Sequence, residues 1–189
     1  MSKQNTIREV PFGTTIKGKK NGAFLAISFK SKLYKDYNDP QVDPNQIVDL
    51  VLMVNRWDGL QGFIGGFVDE GESLEECVRR EVEEEANLDL TDLTLEPLCS
   101  HELDRVVVHL FHLEVGMADP EFLRDLLSYT AQAKHAVTEG NLVYTHLKTY
   151  DEKGRGLKNT LNSNMLASAV KEELLVLTNR LQIPIEYKK

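Results

Sequence analysis

Two cysteines in a chain of 189 residues cannot staple a fold together. Cys77 and Cys99 also lack the paired spacing of a thiolate metal centre. Positive charge is scarce as well. The chain has 22 Lys and Arg against 30 Asp and Glu, a formal net charge of −8. That balance makes the chain a poor non-specific binder of nucleic acid, because counterion release needs clustered cations. The small basic group Lys17, Lys19 and Lys20 reads as the exposed end of a hairpin, and leaves room for recognition of one end of an RNA. No stretch approaches the ~18 apolar residues needed to span a bilayer, and no apolar run follows the opening Met-Ser-Lys-Gln-Asn. No Gly-Lys-Ser/Thr follows the glycines, which excludes the phosphate loop of NTPases. No serine or cysteine sits in a nucleophile elbow. With no repeats or low-complexity linkers either, the expectation is a soluble, reduced, cytoplasmic chain folding as a single domain over residues 1–189.

What the chain does have is acid in an ordered place. Nine carboxylates lie between Asp69 and Glu85. Ser73 followed by Glu76 makes a capping box, so a helix starts near Leu74. At about 100° per residue, the face that begins as Leu74, Cys77 and Val78 continues as Glu81, Glu84 and Glu85. Glu75, Glu76, Arg79 and Glu83 fall on the water side. Three carboxylates on a core-facing stripe repel one another and lose hydration unless a cation is present. Hard oxygen ligands at i, i+3 and i+4 suit Mg²⁺ or Mn²⁺. A merely solvated acidic helix accounts for the composition, but not for the split into two faces after a glycine-rich turn. Three acids on one helix face also fit a metal better than the two facing carboxylates of a glycosidase. Cys77, on the same inner face, reads as a small buried hydrophobe.

The remaining pattern predicts a sheet covered by helices. Asn21-Gly22 signals a hairpin turn before a strand at Ala23–Phe29. Val48–Val54 reads as a buried strand, and Asp58-Gly59 as a turn leading to Gly62–Val68. Further strands are expected around Leu93–Leu98, Leu103–Val115 and Leu142–Leu147. Asp119-Pro120 caps a helix whose face is Phe122, Leu123, Leu126 and Leu127. A last helix is expected from about Asn162 to Leu181, and its leucines would serve a homodimer. His109 and His112 fall in an apolar strand and read as satisfied core residues, whereas His101 stands at the strand's start.

The run Gly66, five residues, Glu72, seven residues, then Arg80-Glu81-Val82-x-Glu84-Glu85-x-x-Leu88 resembles the Nudix box of the Nudix hydrolases. One position departs, Asn87 standing where that family has glycine. Asparagine is the next best residue for a left-handed helix end. The resemblance implies an α/β fold, a Nudix-type α/β/α sandwich with a central mixed β-sheet. It implies hydrolysis of a nucleoside diphosphate linked to a group X, with Mg²⁺ or Mn²⁺ as cofactor. It implies Glu81, Glu84 and Glu85 as metal ligands, with a main-chain carbonyl of Gly65 or Gly66 beside them. Arg80 and Glu72 join Glu81 and Glu84 as catalytic positions, Arg80 orienting the carboxylates. The general base is a Nudix-box glutamate or a residue of a later loop.

The segment from Arg56 through Phe63 to Asp69 resembles one Nudix branch, the snoRNA-decapping and inosine-diphosphatase enzymes, with Ile64 where that branch has proline. Weaker echoes lie at Ser100-His101, Arg105–His109 and Gly156-Leu157 with Leu161. That likeness implies that Arg56 and Phe63 hold a nucleobase and that His101 lies near the metal. Phe63 reads equally as ordinary core. Trp57 covers either the pocket or the sheet edge. The expected partners are a nucleotide and a capped RNA 5′ end, with no membrane. A non-catalytic Nudix domain that binds nucleotide or protein is the alternative.

Overall fold

Apolar residues along Lys20–Ser31 alternate between two separate hydrophobic clusters, as a strand covered on both faces requires. Ala23, Leu25, Ile27 and Phe29 enter one cluster, and Phe24 and Ala26 the other. The computed structural model describes residues 7–32, 43–135 and 140–186. The strands are β1 (Arg8–Val10), β2 (Lys20–Ser31), β3 (Val48–Arg56), β4 (Gln61–Gly62), β5 (Ile64–Phe67), β6 (Glu96–Glu102), β7 (Val106–Ala118) and β8 (Gly140–His146). The helices are α1 (Leu74–Ala86), α2 (Pro120–Thr130), α3 (Leu157–Asn162) and α4 (Val170–Arg180).

The strands form a mixed eight-stranded sheet in the order β1-β6-β7-β2-β3-β4, with β5 on β2 and β8 on β3. β2 and β7 are parallel, and the other pairings antiparallel. Cys77, Val78, Val82 and Ala86 of α1 and Leu123 of α2 close one face over Leu25, Leu50, Leu52 and Ile64. Leu157, Leu161, Val170, Leu174 and Leu177 of α3 and α4 close the other over Ala26, Val51, Met53 and Leu110. Each fully buried leucine or isoleucine contributes roughly 1.5–3 kcal/mol. This is the α/β/α arrangement with a central mixed sheet.

Several local expectations change. Asn21 and Gly22 are not a turn but lie inside β2. Gly22 is small because a Cβ there would meet the Phe24 ring at 2.9 Å. The turn falls earlier, where Lys19 N donates to Ile16 O at 3.0 Å and Gly18 has φ +84°. Lys19 is not a free hairpin end, since it pairs with Glu102 at 2.8 Å. β6 extends to Glu102, so His101 stands near a strand's end rather than its start. Phe122 is exposed, and Leu123 carries the α2 face inward.

The predicted last helix is shortened at its start: it forms over Val170–Arg180, while Asn162 ends α3 and residues 163–169 are not helical. Between α3 and α4 the backbone turns its hydrogen bonds to β4, with Gln61 N donating to Met165 O at 2.6 Å and Ala167 N to Gln61 O at 2.9 Å. The Leu174 and Leu177 side chains offered for a dimer are fully buried in this chain's own core. The opening residues 1–6 lie outside the described residues.

Candidate active site

The acidic helix is built as its sequence dictates. The Ser73 hydroxyl accepts from Glu76 N at 3.2 Å, and Glu76 Oε2 accepts from Ser73 N at 2.8 Å. At the other end Asn87 adopts the left-handed conformation, φ 56° and ψ 28°, with its amide donating to Glu83 O. Cys77, Val78, Val82 and Ala86 anchor one stripe, which leaves Glu81, Glu84 and Glu85 half-buried at its edge. Burial pushes the Cys77 thiol up to about 12, as expected of an inert core cysteine.

Arg80 spreads its guanidinium among the acids. Nε and Nη2 donate to the two oxygens of Glu72 at 2.9 and 3.1 Å. Nη1 donates to Glu81 Oε1 at 2.8 Å and lies 3.6 Å from Glu84 Oε2. Nη2 also reaches the Phe67 carbonyl at 3.3 Å. The fork to Glu72 is bidentate, the geometry in which arginine fixes a carboxylate best. Its hydrogen bond holds the Glu72 carboxyl below the usual glutamate range, and Glu72 in return drives the guanidinium further up.

Glycines set the distance between β5 and α1. At Gly66 an added Cβ would sit 2.3 Å from Glu81 Oε1. Gly65 has φ +141°, and a Cβ there would meet Ala23 O at 2.2 Å. Its amide donates to Glu85 Oε2 at 3.2 Å, and the Cys77 thiol approaches Gly66 O at 3.7 Å.

A cleft of about 390 Å³ opens here, lined by Glu81, Glu85, Gly65 and Gly66 at one end and by Phe24, Phe63 and Trp57 with Arg56 elsewhere. Val54 and Phe67 complete it. The volume lies within the range of small-molecule sites. The structure thus brings Arg56, Phe63, Gly65, Gly66, Glu81 and Glu85 to one cleft, with Arg80 and Glu72 bonded behind them.

Glu84 and His101 are placed differently. Glu84 turns toward the segment after α2, where Lys134 Nζ lies 3.5 Å and His135 Nδ1 3.7 Å from its oxygens. His135 N also donates to Glu84 O at 3.0 Å. His101 is not among the cleft residues. It is buried on β6 opposite Val108 of β7, so a whole strand separates it from β2, where Phe24 supplies the cleft wall. Its Nδ1 has no hydrogen-bond partner, and burial pulls its pKa down. His109 and His112 are satisfied core residues, bonded to Ser100 at 2.7 Å and Ser28 at 2.8 Å.

Sequence reasoning missed Phe24, Phe67, Lys134 and His135. Nothing local marks them. Phe24 looks like any strand residue, and Lys134 is 50 residues from the Glu84 it approaches.

Among the described residues, no three acidic, histidine or cysteine side chains converge on one point. Glu81 leans to Arg80, Glu85 to the Gly65 amide, and Glu84 toward Lys134 and His135. The donor set still suits a hard divalent cation. Glu81 and Glu85 line one cleft beside glycine main chain, and the missing Gly66 side chain leaves room for the Glu81 carboxylate.

Residues 29–183 match the family model described as Nudt16-like, U8 snoRNA-decapping enzyme-like. A curated relative, the Tudor-interacting repair regulator protein of Gallus gallus, is 32% identical over 141 residues. That alignment covers 72% of this chain and 44% of the relative, so the chain spans less than half of the relative's length. Among solved structures, a mutT/nudix family protein from Listeria innocua gives a TM-score of 0.56 at 18% identity, covering 89% of this chain and 96% of that one. The Nudix domain of Shewanella oneidensis NrtR, complexed with ADP ribose, gives 0.54 at 19%, covering 88% and 90%. A C. elegans Ap4A hydrolase gives 0.51 at 18%, covering 86% and 98%. No helix among the described residues is long and apolar enough to cross a membrane.

Proposed function

The chain belongs to the Nudt16-like family of Nudix proteins, and we propose that it is a metal-dependent pyrophosphohydrolase acting on a nucleoside diphosphate linked to a group X. The substrate classes we propose are (deoxy)inosine diphosphate-type nucleotides and the capped 5′ end of an RNA, met in the cytoplasm. One observation carries the reading. Arg80 ties Glu72 and Glu81 together at hydrogen-bond distance while Gly66 clears the space that the Glu81 carboxylate occupies. A helix built only for solubility has no use for an arginine hub shared by two carboxylates or for a glycine shaped to one of them.

Glu81, Glu84 and Glu85 would hold Mg²⁺ or Mn²⁺. The main-chain carbonyl of Gly65 or Gly66, both lining the same cleft, would stand beside them. When bound, the cation neutralises pyrophosphate charge, lowers the pKa of a water and steadies the leaving phosphate. Arg80 positions Glu81. Phe63 and Arg56 face the base. No side chain is assigned as general base beyond the Nudix-box glutamates.

A second reading, a non-catalytic Nudix module, is favoured by two observations. The 32% identical relative is named as a repair regulator. Glu84 also lies against Lys134 and His135, two groups that compete with a cation for it. Retention of Arg80, Glu81, Glu84 and Glu85 together favours the enzyme.

The test is a phosphate- and nucleotide-release screen with Mg²⁺ and with Mn²⁺. It spans nucleoside di- and triphosphates including inosine forms, dinucleoside polyphosphates, ADP-ribose and a capped RNA oligonucleotide. Glu84→Gln and Glu85→Gln run beside wild type, each expected to lose about 100-fold or more in turnover. Wild-type turnover in either variant removes that residue from the ligand set. Silence across the panel, with nucleotide still bound, moves the chain to the module reading.

A further inference from the structure

The chain has one tryptophan, and 77% of its surface is exposed. Tryptophan is on average highly buried, and this exposed ring forms part of the wall of the cleft. The backbone that carries Trp57 is pinned. It lies in the turn between β3 and β4, where Asp58 accepts from the Arg56 guanidinium at 2.8 Å and from Leu60 N at 3.1 Å. Arg56 N donates to Leu60 O at 2.8 Å, and Gly59 N to Arg56 O at 2.9 Å. The turn is closed by four bonds, with Gly59 at φ +81°. Stacking on this indole therefore orders its side-chain rotamer but needs no rearrangement of the turn that presents it.

The chemistry of the cleft says what would stack on the indole. Its acidic end is spoken for by Glu81 and Glu85. The rings elsewhere are unequal. Phe63 is only 5% exposed, so it offers an edge as an inner contact, and Arg56 is held through one nitrogen by Asp58 at 2.8 Å. Two rings lining this cleft keep more than half of their area free, Phe67 at 55% and Trp57 at 77%. Phe67 already carries the Lys20 ammonium 4.9 Å from its centroid, which leaves Trp57 as the larger and freer surface. Resting on the pyrophosphohydrolase reading above, we infer that Trp57 is the outer stacking surface for the substrate's nucleobase. A bicyclic purine covers an indole more fully than a pyrimidine does, so Trp57 biases the site toward purine nucleotides. The base is remote from the phosphorus, so the stack is equal in ground and transition states. Its loss therefore raises KM and leaves kcat in place.

Because Trp57 is the sole tryptophan, indole fluorescence reports on it alone. Inosine diphosphate, uridine diphosphate and inorganic pyrophosphate are titrated into the metal-free protein. Steady-state kinetics with Mn²⁺ and inosine diphosphate compare wild type, Trp57→Phe and Trp57→Ala. Expected are quenching by inosine diphosphate, weaker quenching by uridine diphosphate and none by pyrophosphate. Trp57→Ala should raise KM roughly 10- to 100-fold with kcat within about three-fold, and Trp57→Phe should recover most of the loss. Hydrolysis by Trp57→Ala with wild-type KM overturns the role of Trp57 and leaves the proposed function standing. A fall in kcat at unchanged KM also overturns it. If wild type hydrolyses none of the nucleotides yet inosine diphosphate quenches, the stacking role holds and the catalytic reading fails. If wild type neither hydrolyses nor binds them, both fail.

Discussion

The two faces of the sheet bury carboxylates on opposite terms. On the α1 face, Arg80 answers both Glu72 and Glu81 within 3.1 Å, and its hydrogen bond holds the Glu72 carboxyl below the usual glutamate range. On the α4 face, Glu173 is 3% exposed. Burial, aided by Glu172 of the same sign, pushes its carboxyl up to about 8. One face stabilises the anion, while the other accepts the acid only in its neutral form. The pH signs therefore oppose. Glu72, with its folded pKa lowered, contributes stability present above the ordinary carboxylate range and lost as pH falls below it. Glu173, with its folded pKa raised, contributes nothing adverse in acid and loses stability as pH climbs from about 4.5 towards 8. Charge retained at a cost in burial marks the face where chemistry is expected.

The strongest way to break this contrast is at its hub. Glu81→Gln keeps shape and removes one charge, and should lower kcat by about 1000-fold, roughly 4 kcal/mol of transition-state stabilisation. Arg80→Ala should cost about 100-fold or more, because Glu72 and Glu81 lose the fork that orients them. Both variants should retain cooperative thermal unfolding. Turnover within ten-fold of wild type in either would reduce the network to a structural one.

The α4 face is tested through its pH slope. Glu173→Gln cannot ionise, so its stability relative to wild type should rise between pH 5 and pH 8 by on the order of 3 kcal/mol. Urea unfolding at three pH values measures the slope. The absolute value at pH 5 is uninformative, since a buried amide has its own cost. Parallel curves for the two proteins would mean that Glu173 is ionised in the fold and that the contrast is false.

Much of the α1 face was legible in the sequence, and little of the α4 face. Helix α1 is specified locally: Ser73 and Glu76 cap it, Asn87 ends it, and the acids split into two faces at helical spacing. Periodicity also found β3, β7 and the start of α2. It failed where tertiary partners override the local pattern. Asn21-Gly22 has turn chemistry, yet Gly22 is glycine because the Phe24 ring lies over it. Met165, Leu166 and Ala169 carry helical spacing, yet the backbone of Met165 and Ala167 bonds to Gln61 of β4 instead. His101 could not be placed from sequence, because the strand between it and the cleft belongs to a different segment. The contacts of Lys134 and His135 with Glu84 leave no pattern at all.

A gentler change sharpens the role of the glycines. Gly66→Ala puts a Cβ where Glu81 Oε1 now lies, at 2.3 Å. The carboxylate must move, and kcat should fall about 10- to 100-fold with the melting temperature nearly unchanged. A variant that loses stability and keeps kcat would make Gly66 a packing residue for β5. The paired measurement decides between the two, since one of the quantities moves without the other.

The smallest expected effect is at the end of the same helix, and it separates backbone from chemistry. Asn87 sits at φ 56°, a conformation glycine adopts with less strain than asparagine. Its side chain is exposed, and its amide already caps Glu83 O at 2.9 Å, a bond that glycine would keep. Asn87→Gly should therefore stabilise the chain by about 0.5 kcal/mol, a rise of roughly 1–2 °C in Tm, with kcat within two-fold of wild type. If α1 is only a rigid carrier for Glu81, Glu84 and Glu85, stability shifts and turnover does not. A drop in kcat without a change in Tm would mean that the helix end itself sets where those carboxylates point, and the distinction drawn between the hub and its scaffold would fall.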